Sequence, residues 1–114
     1  MRMTKAVLPH MRAQRSGRII NVSSLSGFVP SPFMAVYTST RHAVEGYSES
    51  LDHEVRDHGV RILLVQPGPI NTPFPANAVQ ADAPLPLYAS GRRTFDEVFA
   101  KEAAAATIPP SWPT

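Results

Sequence analysis

An α/β fold organised around one strand–helix–strand unit of a parallel sheet is what this 114-residue sequence predicts, and three stretches carry the prediction. Ile19, Ile20 and Val22 form a β-branched run typical of a buried strand. Val60-Arg61-Ile62-Leu63-Leu64-Val65 is a second, nearly continuous apolar run, the pattern of a strand inside a parallel sheet covered on both faces. Between them, Tyr37 to about His58 sets Val44, Tyr47, Leu51 and Val55 on one helical face, with Glu45, Glu49, Asp52 and Arg56 mostly elsewhere. Strand, long helix and strand within about fifty residues make a βαβ unit, whose crossover should be right-handed.

Taken in order, Val7, Leu8 and Met11 recur at helical spacing between Thr4 and Gln14, a short helix weakened at Pro9. Arg15-Ser16-Gly17 ends it, and the first strand runs from Arg18 to Ser23. Leu25 to Val36 holds Gly27, Pro30 and Pro32 and reads as a loop, although Phe28, Val29, Phe33 and Met34 make it apolar. The long helix follows, Gly59 stops it, and Val60 to Val65 is the second strand. Nine of the twelve prolines lie from Pro67 onward, so the segment to Ser90 should be irregular. Thr94-Phe95-Asp96-Glu97 has capping-box spacing and predicts a helix through Ala106, with Phe95, Val98 and Phe99 as its apolar contacts, ended by Pro109-Pro110 before a frayed tail.

At this length the chain is one domain at most, and its core is modest. Hydrophobic residues at 43% and charged residues at 18% are ordinary for a globular protein and exclude a disordered composition. A net charge of +2 spread along the chain gives no nucleic-acid surface. Without cysteine there is no disulfide and no thiolate metal site, and nothing else suggests a metal. Lys5, Pro9, His10 and Arg12 interrupt the first fourteen residues, so a signal peptide or membrane span is not expected there, and a soluble cytoplasmic protein is.

In open parallel sheets, ligands bind beyond the carboxyl ends of the strands. Ser24 ends the first strand, Pro67-Gly68 ends the second, and Tyr37 opens the helix between them, so the topology draws all three to one edge. A neutral phenol is a weak base at neutral pH, but a cation one turn along the same helix face, here Arg41, stabilises its phenolate form. A hydroxyl, a phenol and a fixed cation so placed can move a proton at a carbonyl. Ser23 is the rival for the hydroxyl. A hydrolase triad from Ser24, His42 or His53 and Asp52 or Asp57 lacks a Gly-x-Ser-x-Gly elbow. His42 points about 100° away from Arg41 and reads as a surface or interface residue. The sequon Asn21-Val22-Ser23 falls in a strand expected to be buried, where glycosylation is not expected.

Asn21-Val22-Ser23-Ser24-Leu25-Ser26-Gly27, Tyr37-Thr38-Ser39-Thr40-Arg41 and Pro67-Gly68-Pro69-Ile70-Asn71-Thr72 together resemble the catalytic segment of the short-chain dehydrogenase/reductase family. The resemblance runs from about Met1 to Phe74 and corresponds to the second, C-terminal half of that family's Rossmann-like domain. It implies a catalytic βαβ half over residues 1–72 and a substrate-loop region with a helix over residues 73–114. The implied activity is interconversion of an alcohol and a ketone or aldehyde with NAD or NADP. Ser24, Tyr37 and Arg41 would be catalytic. Tyr37, Arg41, Pro67, Gly68, Ile70 through its main chain and Thr72 through its hydroxyl would hold the cofactor. Ser24 with Phe28, Phe33 and Met34 would line an apolar pocket for a hydrophobic alcohol or carbonyl substrate. The helices at residues 4–14 and 37–58 correspond to the family's subunit interface, which implies a homo-oligomer.

Two departures matter. The family's signature lysine is Arg41 here, which keeps the charge but cannot relay a proton and presents a longer planar head. Gly-x-x-x-Gly-x-Gly, the phosphate-binding turn, occurs nowhere in the sequence, nor does the family's final strand follow the substrate region. Two expectations therefore stand: a reductase represented by part of its length, or an inactive homologue acting as an oligomerisation module.

Overall fold

The computed structural model describes residues 1–106. They form α1 (Arg2–Ala13), β1 (Gly17–Val22), α2 (Ala35–Val55), β2 (Val60–Val65) and α3 (Ala89–Ala105), with single 3-10 turns at Leu25–Gly27, Arg56–His58 and Pro86–Tyr88. Two compact units divide the chain, one from Met1 to Pro67 and one from Gly68 onward.

In the first unit the two strands pair in parallel, from Gly17 opposite Val60 to Val22 opposite Val65, with α2 as the crossover between them. Pro9 lies inside α1 without ending it. It withholds one N–H from the carbonyl of Lys5, and the turns on either side carry the helix through. Arg15, at φ 52, reverses the chain into β1. At the other end of α2, Gly59 at φ 77 closes the Arg56–His58 turn with its N–H bonded to the Arg56 carbonyl. A Cβ there would collide with the carbonyl of Arg15, so the turn into β2 rests directly on the turn into β1.

The core is small: Val55, Val60 and Ile62 are buried, and Leu8, Met11, Ile19 and Leu51 pack against them. Only one face of the sheet is covered among the described residues of this unit. Gly17, Ile19 and Asn21 of β1 and Val60, Ile62 and Leu64 of β2 face inward, whereas Ile20, Val22, Leu63 and Val65 are exposed on the other face. The expected cover on both faces is thus half present. The period-2 alternation that an apolar run conceals is visible in the burial of each strand.

The inner face of α2 takes only part of its apolar stripe: Val55 is buried and Leu51 packs on the core, while Val44 and Tyr47 are half-buried. Glu45, Ser48, Asp52 and Val55 are its buried residues. Asp52 explains why a polar stripe faces the sheet. Its Oδ1 accepts from the Ile62 backbone N–H at 2.9 Å and from Arg61 Nε at 3.1 Å, and its Oδ2 accepts from Arg56 Nη2 at 2.7 Å. Those donors, the Ile62 N–H foremost and Arg61 next, pull its carboxyl from the ordinary 3.8 to about 2. Ser48 Oγ accepts from Asn21 Nδ2 at 2.8 Å, which ties the helix to β1 as Asp52 ties it to β2.

In the second unit the chain is irregular from Gly68 to Leu85. The Pro86–Tyr88 turn then feeds α3, which starts five residues before Thr94. Thr94 does not cap the helix; its hydroxyl donates to the Ser90 carbonyl from inside it. The helix starts early because the 3-10 turn already supplies its first bonds, with the Tyr88 N–H on Leu85 and the Ala89 N–H on Pro86. Phe95 and Phe99 stack with centroids 6.0 Å apart, while Val98 is exposed. Pro109-Pro110 and the tail after them lie outside the described residues.

Candidate active site

Ser24 stands where β1 ends. Its backbone is extended, its Oγ accepts from the Ser26 N–H at 3.2 Å, and it thereby caps the Leu25–Gly27 turn. Pairing with the second strand continues past both ends, Ser23 N–H to the Val65 carbonyl at 2.8 Å and Leu25 N–H to the Pro67 carbonyl at 2.9 Å. Ser24 is therefore held between two backbone bonds to the end of β2, and Pro67 is one of the residues holding it.

Tyr37 sits half-buried in the first turn of α2. The loop before it turns through Phe33 at φ 59, a left-handed conformation that a bulky residue adopts only under constraint from its surroundings. Met34 follows, and its carbonyl accepts the Thr38 N–H at 2.7 Å, so the helix starts just ahead of Tyr37. One turn on, the Arg41 guanidinium carbon lies 4.8 Å from the centroid of the Tyr37 ring, within cation–π distance. Arg41 Nη1 donates to the Val22 carbonyl at 3.3 Å. The cation is thus stacked on the phenol and tied to the strand end two residues before Ser24. Ser24, Tyr37, Arg41 and Pro67 come together at the carboxyl edge of the sheet.

Phe28 and Phe33 are exposed and Met34 is half-buried. Phe28 walls a cleft of about 570 Å³ with Gly27, His42, Glu45, Gly46 and Gln66, and neither Phe33 nor Met34 contributes to that wall. Gly68, Ile70 and Thr72 belong to the second unit. Ile70 is exposed, and the Thr72 hydroxyl accepts from the Phe74 N–H at 3.4 Å in a local turn. His42 is exposed, with Nδ1 3.0 Å from the Thr38 carbonyl.

A nicotinamide cofactor finds matching groups at one end. Arg41 Nε and Thr38 Oγ1 are buried and carry no hydrogen-bond partner among the described residues, which suits a hydroxylated sugar beside Tyr37. For a pyrophosphate these 114 residues offer no Gly-rich turn. Among the described residues no group of three or more acidic or imidazole side chains could hold a metal ion, and no helix is long and apolar enough to cross a membrane.

Sequence reasoning missed Glu45, Ser48, Asp52 and Gln66. Glu45 is buried and accepts from Gln66 Nε2 at 2.7 Å. The signal was the phase of Arg41. Positions 45, 48, 52 and 55 share its helical stripe, so whatever brings Arg41 to the strand ends brings them inward as well.

The family model for short chain dehydrogenases matches residues 1–83. The 3-ketodihydrosphingosine reductase of Bacteroides thetaiotaomicron is 49% identical over 75 residues, covering 66% of this chain and 28% of that protein. A short-chain dehydrogenase from Streptomyces avermitilis superposes with a TM-score of 0.70 at 34% identity, over 91% of this chain and 41% of the other. A putative NAD(P)-dependent gluconate 5-dehydrogenase from Beutenbergia cavernae, with bound NADP, does so with a TM-score of 0.61 at 27% identity, over 90% and 35%. The chain spans between about a quarter and two fifths of the length of these relatives.

Proposed function

Because the chain belongs to the short-chain dehydrogenase/reductase family, we propose that it carries the catalytic half of an NAD(P)-dependent oxidoreductase interconverting a hydrophobic alcohol and its ketone or aldehyde. Residues 1–72 are its catalytic part, corresponding to the second half of the family's domain, and residues 73–114 its substrate-loop region. The observation that carries the reading is the Arg41 guanidinium lying 4.8 Å from the Tyr37 ring centroid while bonded to the Val22 carbonyl. It puts a fixed positive charge beside the phenol of Tyr37, bonded to the carbonyl two residues before Ser24.

Tyr37 gives its proton to the carbonyl oxygen in reduction and takes it back in oxidation. Ser24 holds that oxygen by donating its hydroxyl proton to it, while its Oγ keeps the bond it accepts from the Ser26 N–H, since a hydroxyl donates and accepts at once. Arg41, stacked on the Tyr37 ring, keeps a fixed positive charge beside the phenol, and its Nε, which has no hydrogen-bond partner among the described residues, would be the group to turn toward the cofactor's ribose. The nicotinamide, when bound, supplies or accepts the hydride. By the family resemblance, Pro67, Gly68, Ile70 and Thr72 would be the residues to hold the cofactor's carboxamide end. Phe28, Phe33 and Met34 favour an apolar substrate, and the Bacteroides thetaiotaomicron relative is named for a keto compound.

A second reading, an inactive homologue that works by association through α1 and α2, draws support from the same arginine: its tie to the Val22 carbonyl occupies a donor that a ribose would use. Carbonyl reduction by the full-length protein, followed as loss of NADH or NADPH absorbance against a panel of hydrophobic ketones, tests both. Tyr37→Phe should lower turnover by about 100-fold or more, and Ser24→Ala by about 100-fold. Arg41→Lys should raise it, because a compact ammonium leaves the Val22 carbonyl, reaches the ribose and relays a proton. Tyr37→Phe retaining parental turnover would sink the catalytic reading, and no turnover in any variant, Arg41→Lys included, favours the second.

A further inference from the structure

Glu45 is buried to 7% exposure on the inner stripe of α2, one turn beyond Arg41. One of its carboxylate oxygens, Oε2, accepts from Gln66 Nε2 at 2.7 Å. The other, Oε1, is buried with no hydrogen-bond partner among the described residues, and so is the hydroxyl of Ser23, itself 4% exposed. Both orphan oxygens crowd one spot. A Cβ built on Gly27 would lie 2.7 Å from Glu45 Oε1 and 2.8 Å from Ser23 Oγ. Only a residue without a side chain lets the carboxylate and the hydroxyl press on the backbone of the Leu25–Gly27 turn together.

That turn is the one Ser24 caps, with the Gly27 N–H on the Ser24 carbonyl at 2.8 Å and the Ser26 N–H on its Oγ. Gln66, at the other end of the carboxylate, lies between Val65 and Pro67, whose carbonyls hold Ser23 and Leu25. A single buried side chain thus bridges the two strand ends that meet at the site. An unpaired carboxylate oxygen is costly to bury, and the Ser23 hydroxyl beside it is a donor with nothing else to bond. We infer that Glu45 is a positioning residue, a clamp from α2 that holds the Leu25–Gly27 turn against the end of β2 and so sets where the Ser24 hydroxyl stands. The inference rests on the role proposed for Ser24 above.

Hydrogen exchange in the full-length protein tests the clamp without reference to turnover. In Glu45→Ala the Ser26 to Val29 amides should exchange about tenfold faster than in the parent, the loss of one hydrogen bond to a charged group, while the Ile19 to Val22 amides keep their rates. Glu45→Gln keeps an acceptor for Gln66 and fills the same space beside Gly27 and Ser23, and should restore parental protection. Under ketone reduction, Glu45→Ala should lower kcat with the KM for cofactor unchanged, and Glu45→Gln should recover it. Should Glu45→Ala fail to fold, Gln66→Ala, which removes the bond to Glu45 Oε2, is expected to speed exchange of the same four amides selectively. Unchanged turn amides in whichever of these two variants folds, or equal acceleration across β1 and the turn, would overturn the clamp. Full turnover in Ser24→Ala would instead overturn the catalytic reading, and the exchange result would still decide whether Glu45 holds the turn.

Discussion

Asp52 joins α2 to β2 through the Ile62 N–H and Arg61, and its chemistry gives a prediction. Its carboxyl is lowered from 3.8 to about 2, first by the Ile62 N–H and then by Arg61. Since the folded value lies below the unfolded one, its stabilisation is fully present above about pH 4 and is lost as the pH falls toward 2. Between pH 5 and 2 the unfolding midpoint should therefore drop more steeply in the parent than in Asp52→Asn, which keeps an acceptor for Ile62 but has no charge to protonate. Parallel profiles in urea or thermal unfolding would contradict the assignment. At the same scale, Ser24, Tyr37 and Arg41 stand out in the sequence by residue type and spacing, and the structure shows Arg41 stacked on Tyr37 and bonded to the Val22 carbonyl; the proton-transfer role is the one proposed above. Glu45 and Gln66 do not stand out, because a buried acid is indistinguishable in sequence from a solvated one on the outer face of a helix.

At the scale of elements, β2 runs from Val60 to Val65 as its apolar run predicts, and α2 differs from its expected span by a turn at most. Its orientation differs more, since Val44 and Tyr47 are only half-buried and the polar stripe of Glu45, Ser48 and Asp52 is buried with Val55. Hydrogen bonding outweighs hydrophobic patterning here: the outer-edge Ile62 N–H and the Asn21 amide need partners, and a helix presenting Asp52 and Ser48 provides them. The junction of α2 with β2 is the element-scale test. Gly59→Ala places a Cβ at φ 77 and against the Arg15 carbonyl, so it should cost about 2 kcal/mol or more. A lowered unfolding midpoint measures this, and a midpoint at or above the parent's would show that the two turns do not rest on each other.

For the molecule as a whole, the open face of the sheet decides behaviour. Ile20, Val22, Leu63 and Val65 are 59%, 62%, 41% and 47% exposed, side by side in the parallel register. Two strands with one bare apolar face are marginal in water. The 114-residue polypeptide by itself should therefore self-associate, seen as a concentration-dependent mass in sedimentation. Replacing Ile20 and Leu63 by threonine should shift it toward monomer. A sharp melting transition, independent of concentration and from a monomer, would count against this.

The order of strands and helices was determined by the sequence alone, because apolar periodicity and strand–helix–strand order leave one topology for a parallel pair, and the resemblance to the family was carried by the motifs around Ser24, Tyr37 and Pro67. Tertiary structure alone decided which face of α2 turns inward, where the Arg41 head rests, and that α3 starts from the Pro86 turn instead of at Thr94. Those choices depend on partners distant in the chain: the Val22 carbonyl nineteen residues from Arg41 and the Ile62 N–H ten residues from Asp52. A local pattern records which residues can be buried, but only the assembled backbone shows which of its N–H and C=O groups remain to be paired.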